Sequence, residues 1–301
     1  MINLNSYVTE PHNTINVGKK SISVFEIGDE NIDHETVSSF GEEWSKFSSF
    51  SEKEIQNAGD QYFDIVPLNA YTGKYVLDVG CGTGRWSKYL SRKVGALEAI
   101  DPSDAVYSAA ALLQDEEHVR ITRASADNIP FPDNSFDLVF SLGVLHHIPD
   151  THEAMRRCVE KVKPGGYFLV YLYYNFENRG LVFKSIFHIS NVIRRVVSIL
   201  PSAIKSVVCD ILAVLFYLPF VLVTKLMKAI GLAKVIKYIP LSYYADKSMN
   251  IIRNDSLDRF GTPLEQRYSR AEIEHMMTSC GLTNITFSTN EPFWHAIGQK
   301  R

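Results

Sequence analysis

The chain has 301 residues, 46% hydrophobic and 22% charged, with a formal net charge of −3. That is enough for one large domain or one and a half, and the balance gives no sign of a nucleic-acid binder. Four well-separated cysteines (Cys81, Cys158, Cys209, Cys280) lack metal or redox spacing, so a reducing, cytosolic setting is expected. Residues 1–25 are polar and carry no apolar core of a secretory leader, which argues against one.

The N-terminal stretch reads as irregular to residue 33, with a short strand at Ser21–Ile27. Helices are expected over His34–Phe50 and Glu52–Pro67. The next stretch, Val76-Leu77-Asp78-Val79-Gly80-Cys81-Gly82-Thr83-Gly84, organises the rest. Its first half is apolar and β-branched apart from Asp78, the pattern of a buried strand. Its second half has three alternate glycines, which allow a sharp turn and a close backbone approach to a ligand. Arg85–Lys93 follows as a helix, with Trp86, Tyr89 and Leu90 on one face. Strand, glycine turn and helix make the first unit of a nucleotide-binding α/β sheet. The spacing GxGxG is neither the dinucleotide GxGxxG nor the phosphate-loop pattern.

These residues resemble the class I S-adenosylmethionine-dependent methyltransferases, whose signature E/DxGxGxG stands here as DVGCGTG. Three further segments carry the same resemblance. They are Ile129-Pro130-Phe131-Pro132-Asp133-Asn134-Ser135-Phe136-Asp137, the turn Lys163-Pro164-Gly165-Gly166, and a C-terminal D-x-F-x-x-P…Y-S-x-x-E-I pattern from Asp258 to Ile273. It is strong over residues 70–173 and moderate over 256–298. The implied fold is α/β and Rossmann-like: a seven-stranded, mostly parallel sheet with an antiparallel last strand, N-terminal helices, and a helical insertion after strand 5. The implied domains are a helical cap (1–66), a cofactor-binding core (67–175 and 256–301) and the insertion (176–255).

The second strand, Ala96–Ile100, ends at Asp101-Pro102. An acidic residue there accepts hydrogen bonds from both ribose hydroxyls, and Asp101 lies 23 positions after Asp78, near the expected offset of about 20. Ala105–Leu113 reads as a helix and Val119–Arg123 as the third strand. The resemblance implies that the following residues, Ser125, Ala126 and Asp127, meet the adenine, with the side-chain acceptor either Ser125 or Asp127. The cofactor-binding set is completed by Asp78, Gly80, Cys81, Gly82, Thr83, Gly84, Pro102, Ser141 and Leu142. The fourth strand, Phe136–Phe140, leads to His146 and His147, where either imidazole could serve as a general base. Some related O-methyltransferases carry Glu-x-x-Glu-His here and bind a divalent metal. Gly143, His146 and His147 occupy those places, so no metal site is expected. Trp44 and Phe47 either form part of a lid or pack their helix onto the sheet. Trp44, Tyr173, Tyr174 and Arg267 are the candidate substrate residues.

Asp150 caps a helix over Ala154–Val162, and the fifth strand is Tyr167–Tyr173. The family pattern then breaks. Residues 181–240 hold eight Lys and Arg against one Asp, a net +7 that leaves −10 elsewhere. Helices are expected at Leu181–Leu200, at Val207–Val223 with a break at Pro219, and at Lys225–Ile239 with a break at Gly231. The uncharged run Ile211–Thr224 is shorter than the roughly 20 residues of a membrane span. The insertion is either a lid or a surface that rests peripherally on an anionic membrane. Ser269 with Glu272 has capping-box spacing before a helix to Cys280, and Ile285–Ser288 pairs with Phe293–Ile297.

The expected activity is methyl transfer to a small, partly apolar acceptor: a quinone, polyketide, lipid or lipid-linked sugar. The rival is a non-catalytic S-adenosylmethionine-binding module whose insertion mediates partner or membrane assembly. An aminopropyl transferase is weaker, since no acidic polyamine-binding cluster stands out. The expected location is cytoplasmic, peripheral on the inner membrane surface.

Overall fold

The computed structural model describes residues 4–46, 50–177, 180–236 and 238–301. In chain order the elements are β1 (Asn13–Val17), β2 (Lys20–Val24), α1 (His34–Lys46), α2 (Glu52–Tyr62), β3 (Tyr75–Val79), α3 (Arg85–Ser91), β4 (Ala96–Asp101), α4 (Ala105–Leu112), β5 (Val119–Arg123), β6 (Phe136–Leu142), α5 (Thr151–Lys161) and β7 (Val162–Tyr171). Then come α6 (Leu181–Val197), α7 (Ser202–Leu212), α8 (Leu218–Ala229), α9 (Ala233–Ile236), α10 (Met249–Gly261), α11 (Arg270–Ser279), β8 (Leu282–Phe287) and β9 (His295–Lys300). The chain forms two compact units, Met1–Asn175 with Leu264–Arg301, and Phe176–Pro263.

The first unit is built on one sheet in the order β1-β2-β5-β4-β3-β6-β7-β9-β8. Strands β2, β5, β4, β3, β6 and β7 run parallel, and β9 inserts antiparallel between β7 and β8. Among the described residues the sheet therefore has nine strands rather than seven. The two extra strands form a hairpin: β2 overlaps the short strand expected at Ser21–Ile27, and β1 lies in the stretch that reads as irregular. Val17 pairs with Lys20 across the two-residue turn Gly18-Lys19, with Gly18 at φ +56°, and such tight hairpin turns require a positive φ.

Strand β3 is buried along its whole length, and its side chains alternate between two cores. Leu77 and Val79 join Met155, Cys158 and Val159 of α5 with Ile273 and Met277 of α11. Val76 joins Trp86, Tyr89 and Leu90 of α3, with Val106 and Ala109 of α4. Helices thus cover both faces, as a parallel sheet buried on both sides requires. Ser269 and Glu272 form a reciprocal cap on α11. Asp150 accepts from the Glu153 amide at 2.9 Å, but the Glu153 carboxylate turns to Arg156 and Arg157 instead of closing the box.

In the second unit, helix runs on from Ser202 to Ala229 through a π turn at Ala213–Tyr217, and Pro219 does not interrupt it. A π turn shifts the hydrogen-bond ladder by one residue, and Pro219 then sits in the first turn of α8, where no amide donor is needed. Asp258–Gly261, part of the C-terminal resemblance, ends α10 within this unit.

Candidate active site

The parallel strands β5, β4, β3 and β6 bring their carboxyl ends to one edge, and the candidate residues collect there. After Val79 the backbone turns through Gly80, Gly82 and Gly84 at φ +80°, +52° and +79°. A side chain at Gly80 would lie 2.4 Å from Val144, so both conformation and space require glycine. The amides of Gly80 and Cys81 donate to the Ile100 carbonyl at 2.8 and 2.9 Å, folding the turn over the end of β4. The Gly82 amide donates to Asp101 Oδ2 at 2.9 Å, and Ser103 donates to Oδ1 through its amide (2.9 Å) and hydroxyl (2.6 Å). A carboxylate has about four acceptor positions. Three are occupied, leaving room for one further donor unless an internal bond yields.

Two more carboxylates stand near this edge. Asp78 is fully buried; Ser87 donates to its Oδ2 at 2.6 Å, and Oδ1 has no partner among the described residues. Burial, with the Asp101 charge adding to it, pushes the Asp78 carboxyl up to about 8. Burial also raises Asp101. At the end of β5 the Ala124 amide donates to the Asp101 carbonyl at 3.2 Å, which brings Ser125, Ala126 and Asp127 alongside. Ser125 Oγ accepts from the Asn128 amide at 3.2 Å. The half-buried Asp127 has no hydrogen-bond partner among the described residues. Its carboxyl is raised, by burial first. Pro102 accepts from Arg123 at 3.0 Å. Thr83 and Leu142 are buried, as is Cys81, whose thiol burial pushes up. Ser141 donates to the Val79 carbonyl at 2.9 Å, tying β6 to the start of the turn. An edge so rich in acceptors fits a ligand that presents hydroxyl and ammonium donors, as a nucleoside with a cationic amino-acid arm does.

Helix α1 lies along the same edge. Gly82, given a Cβ, would sit 3.6 Å from Trp44 Nε1; Gly41, given one, would sit 3.6 Å from Ser103. The Phe40 ring meets His147 edge-on at 4.8 Å. Trp44 also packs on the Arg85 guanidinium, 5.3 Å from its ring. Phe47 lies outside the described residues.

Past β6 the chain enters a short 3₁₀ turn, Leu145–His147, and both histidines are buried. Neither ring nitrogen of His146 has a hydrogen-bond partner among the described residues. Burial, then the neighbouring His147 and Arg267, hold its pKa well below the usual histidine value. It is therefore a neutral base at neutral pH. His147 Nδ1 donates to the Leu264 carbonyl at 2.7 Å, which orients that ring. Tyr173 lies against His146 with centroids 3.9 Å apart, and Arg267 sits 5.1 Å over the Tyr173 ring. Arg267 also donates to the Tyr174 carbonyl at 3.2 Å. The Tyr174 ring packs instead near Phe293 and Trp294.

One residue of this cluster escaped the sequence reading. The Glu265 side chain is only 4% exposed and accepts from Arg267 at 2.8 Å, while its Oε2 has no partner among the described residues. Burial of an unsatisfied carboxylate oxygen is costly, which marks Glu265 as a candidate substrate contact. A glutamate between Leu264 and Gln266 has no periodic or motif signal to reveal it.

Comparison with known proteins agrees with this geometry. Residues 77–170 match the model of a methyltransferase domain. The chain is similar to the ubiquinone biosynthesis O-methyltransferase of Bradyrhizobium diazoefficiens, 35% identical over 119 residues, covering 38% of this chain and 47% of that one. It is also similar to the enzyme of that name from Pseudomonas entomophila, 32% identical over 154 residues, covering 45% and 61%. The chain thus spans about half the length of the curated relatives it matches. A solved structure from Bordetella parapertussis aligns with a TM-score of 0.51 at 14% identity, covering 89% of this chain and 80% of that one, a likeness of fold. Residues 77–170 are accordingly similar to a methyltransferase domain.

Proposed function

We propose that the chain transfers the methyl group of S-adenosylmethionine to a small, partly apolar acceptor, with a quinone-like hydroxyl the preferred case. The observation that carries this reading is His146: a fully buried, neutral imidazole with both nitrogens unpartnered among the described residues, in the turn that follows the strand beside β3. A non-catalytic fold would have no need of such a group. Similarity to ubiquinone biosynthesis O-methyltransferases supports the acceptor class.

When bound, the cofactor supplies an activated methyl group on a sulfonium centre. The residues of the chain then have separable roles. Asp101 holds a ribose hydroxyl while the Gly82 amide keeps its carboxylate in place. Ser125, Ala126 and Asp127 border the adenine, with Asp127 the stronger side-chain acceptor because its carboxylate is unspent. Trp44 covers the glycine turn and excludes water. His146 takes the proton from the acceptor hydroxyl, and His147, oriented by the Leu264 carbonyl, supports it. Tyr173, Arg267 and Glu265 border the acceptor. The reading includes a cytoplasmic setting and a peripheral contact of residues 181–240 with an anionic membrane surface.

The test is a transfer assay with methyl-labelled S-adenosylmethionine against lipid extracts and soluble metabolites of the source cell. Label is expected in an apolar, extractable product. Cofactor binding without transfer to either pool would overturn the reading. Transfer to soluble acceptors alone would remove the apolar acceptor class.

A further inference from the structure

In the second unit large apolar side chains are exposed as well as buried. The helix Ser202–Ala229 buries Cys209, Ala213, Tyr217, Val221 and Thr224. Its polar contacts lie toward α10. Tyr217 and Tyr244 donate to Asp255, Arg259 donates to the Tyr217 hydroxyl, and Ser256 donates to the Cys209 carbonyl. Arg253 grips Asp210 through two bonds of 2.8 and 2.7 Å. The other side presents Ile204, Val207, Ile211, Leu215, Leu222 and Leu226, each more than half exposed. Helix α6 repeats the pattern with Ile189, Val192, Val196 and Ile199 outside and Arg194 buried on the Thr262 and Pro263 carbonyls. Water disfavours the outer half of this arrangement, and an exposed apolar surface this continuous marks an interface.

From this we infer that the exposed faces of α6 and of the Ser202–Ala229 helix embed side-on in an anionic bilayer, in its plane. The inference rests on the membrane contact proposed above and specifies its geometry. Charge selects the occupant. The unit holds twelve Lys and Arg against five Asp and Glu. Asp210, Asp246 and Asp255 are engaged by Arg253, Lys228 and Arg259. Arg195 and Lys205 border the apolar faces with no ion-pair partner among the described residues, and Lys225 borders them near Asp246, which Lys228 engages. That rim suits anionic headgroups and opposes a second copy of the same positive unit. The helix has 28 residues, about 42 Å at 1.5 Å each, long enough to cross. Crossing would also bring the Asp210–Arg253 and Asp255–Arg259 pairs of the packed α10 to the hydrocarbon, which is costly. Lying in the plane keeps them on the aqueous side.

The test is flotation of the full chain with vesicles of phosphatidylcholine, alone or mixed with phosphatidylglycerol. Strong flotation with the mixed vesicles, weak flotation with neutral ones, and release by alkaline carbonate are expected. Leu215→Glu with Leu222→Glu should abolish flotation while far-ultraviolet dichroism and S-adenosylmethionine affinity stay unchanged. Lys205→Gln with Lys225→Gln should weaken only the anionic arm. Absence of any flotation would sink both the membrane contact and its geometry. Flotation that resists carbonate, or that the Glu variants leave intact, would overturn only the in-plane face. A dimer of the wild type that the Glu variants turn into monomers would make a second copy the occupant and overturn it as well.

Discussion

The two units differ most in where their large apolar side chains go. In the first unit, apolar side chains fill both faces of the sheet, while several polar atoms at the carboxyl edge are unsatisfied among the described residues: Asp78 Oδ1, both His146 nitrogens and Glu265 Oε2. In the second, Asp255, Tyr217, Tyr244 and Arg259 form an internal network, Asn254 Oδ1 and Thr262 Oγ1 lack partners among the described residues, and large apolar side chains lie exposed on the outer faces. Unsatisfied polar atoms in a well-packed core point to a small polar ligand; unsatisfied apolar surface points to an extended apolar one.

Changes confined to the carboxyl edge break the first half of that contrast most sharply at His146. His146→Ala should lower kcat by about 10²- to 10⁴-fold, the range for loss of a general base, with cofactor affinity retained. His147→Ala should lose less. Because the His146 pKa is held well below 6.5, the acid limb of the wild-type rate profile should also lie well below that pH. Full turnover in both variants would remove histidine from the chemistry.

Asp101 comes next. Asp101→Ala forfeits the ligand bond and loosens the Gly82 amide, so calorimetry should register a loss on the order of 100-fold, given about 1.5–3 kcal/mol for each charge-assisted bond. Asp101→Asn serves as the fold control. Unchanged affinity in both would refute the ribose role.

Asp78 sharpens the contrast through pH. Its folded pKa, about 8, is raised, so its contribution to stability is full below the unfolded value near 4 and is lost as pH rises through about 8. A cationic ligand favours the ionised carboxylate. Affinity should therefore climb by up to about tenfold per pH unit below pH 8 and level off above it. Asp78→Asn should flatten that climb and, relative to wild type, gain stability above pH 8. A climb of equal slope in the variant would exclude Asp78.

The smallest expected effect is at Glu265. Glu265→Gln should raise the acceptor KM by roughly tenfold, the loss of one bond to a charged group, with kcat and cofactor affinity unchanged. An unaltered KM would leave Glu265 a partner of Arg267 alone.

Much of the sheet was legible because its signals are local. The apolar run into Gly80, the acid at Asp101 and the Ser269–Glu272 cap each declare themselves within a few residues. What was missed depends on distant partners. Strand β2 was legible at Ser21–Ile27, but β1 has only Gly18 to announce it, and the hairpin is secured by pairing with β5. Helix α10 buries Ile252, Leu257 and Phe260, but polar Asp255, Ser256 and Arg259 stand among them and blur the apolar face. Pro219 reads as a break until the π turn before it is seen. The engagement of Asp101 by Ser103 and Gly82, and the burial of Glu265, are tertiary facts about residues whose types alone say surface.

Hydrogen–deuterium exchange of the full chain, with S-adenosylmethionine and with anionic vesicles added in turn, tests the division of labour most directly. The expected result is slowed exchange at Val79–Gly84 and along α1 with the cofactor, and in α6, α7 and α8 with the vesicles. Cofactor protection absent from the glycine turn, or vesicle protection confined to the first unit, would contradict it.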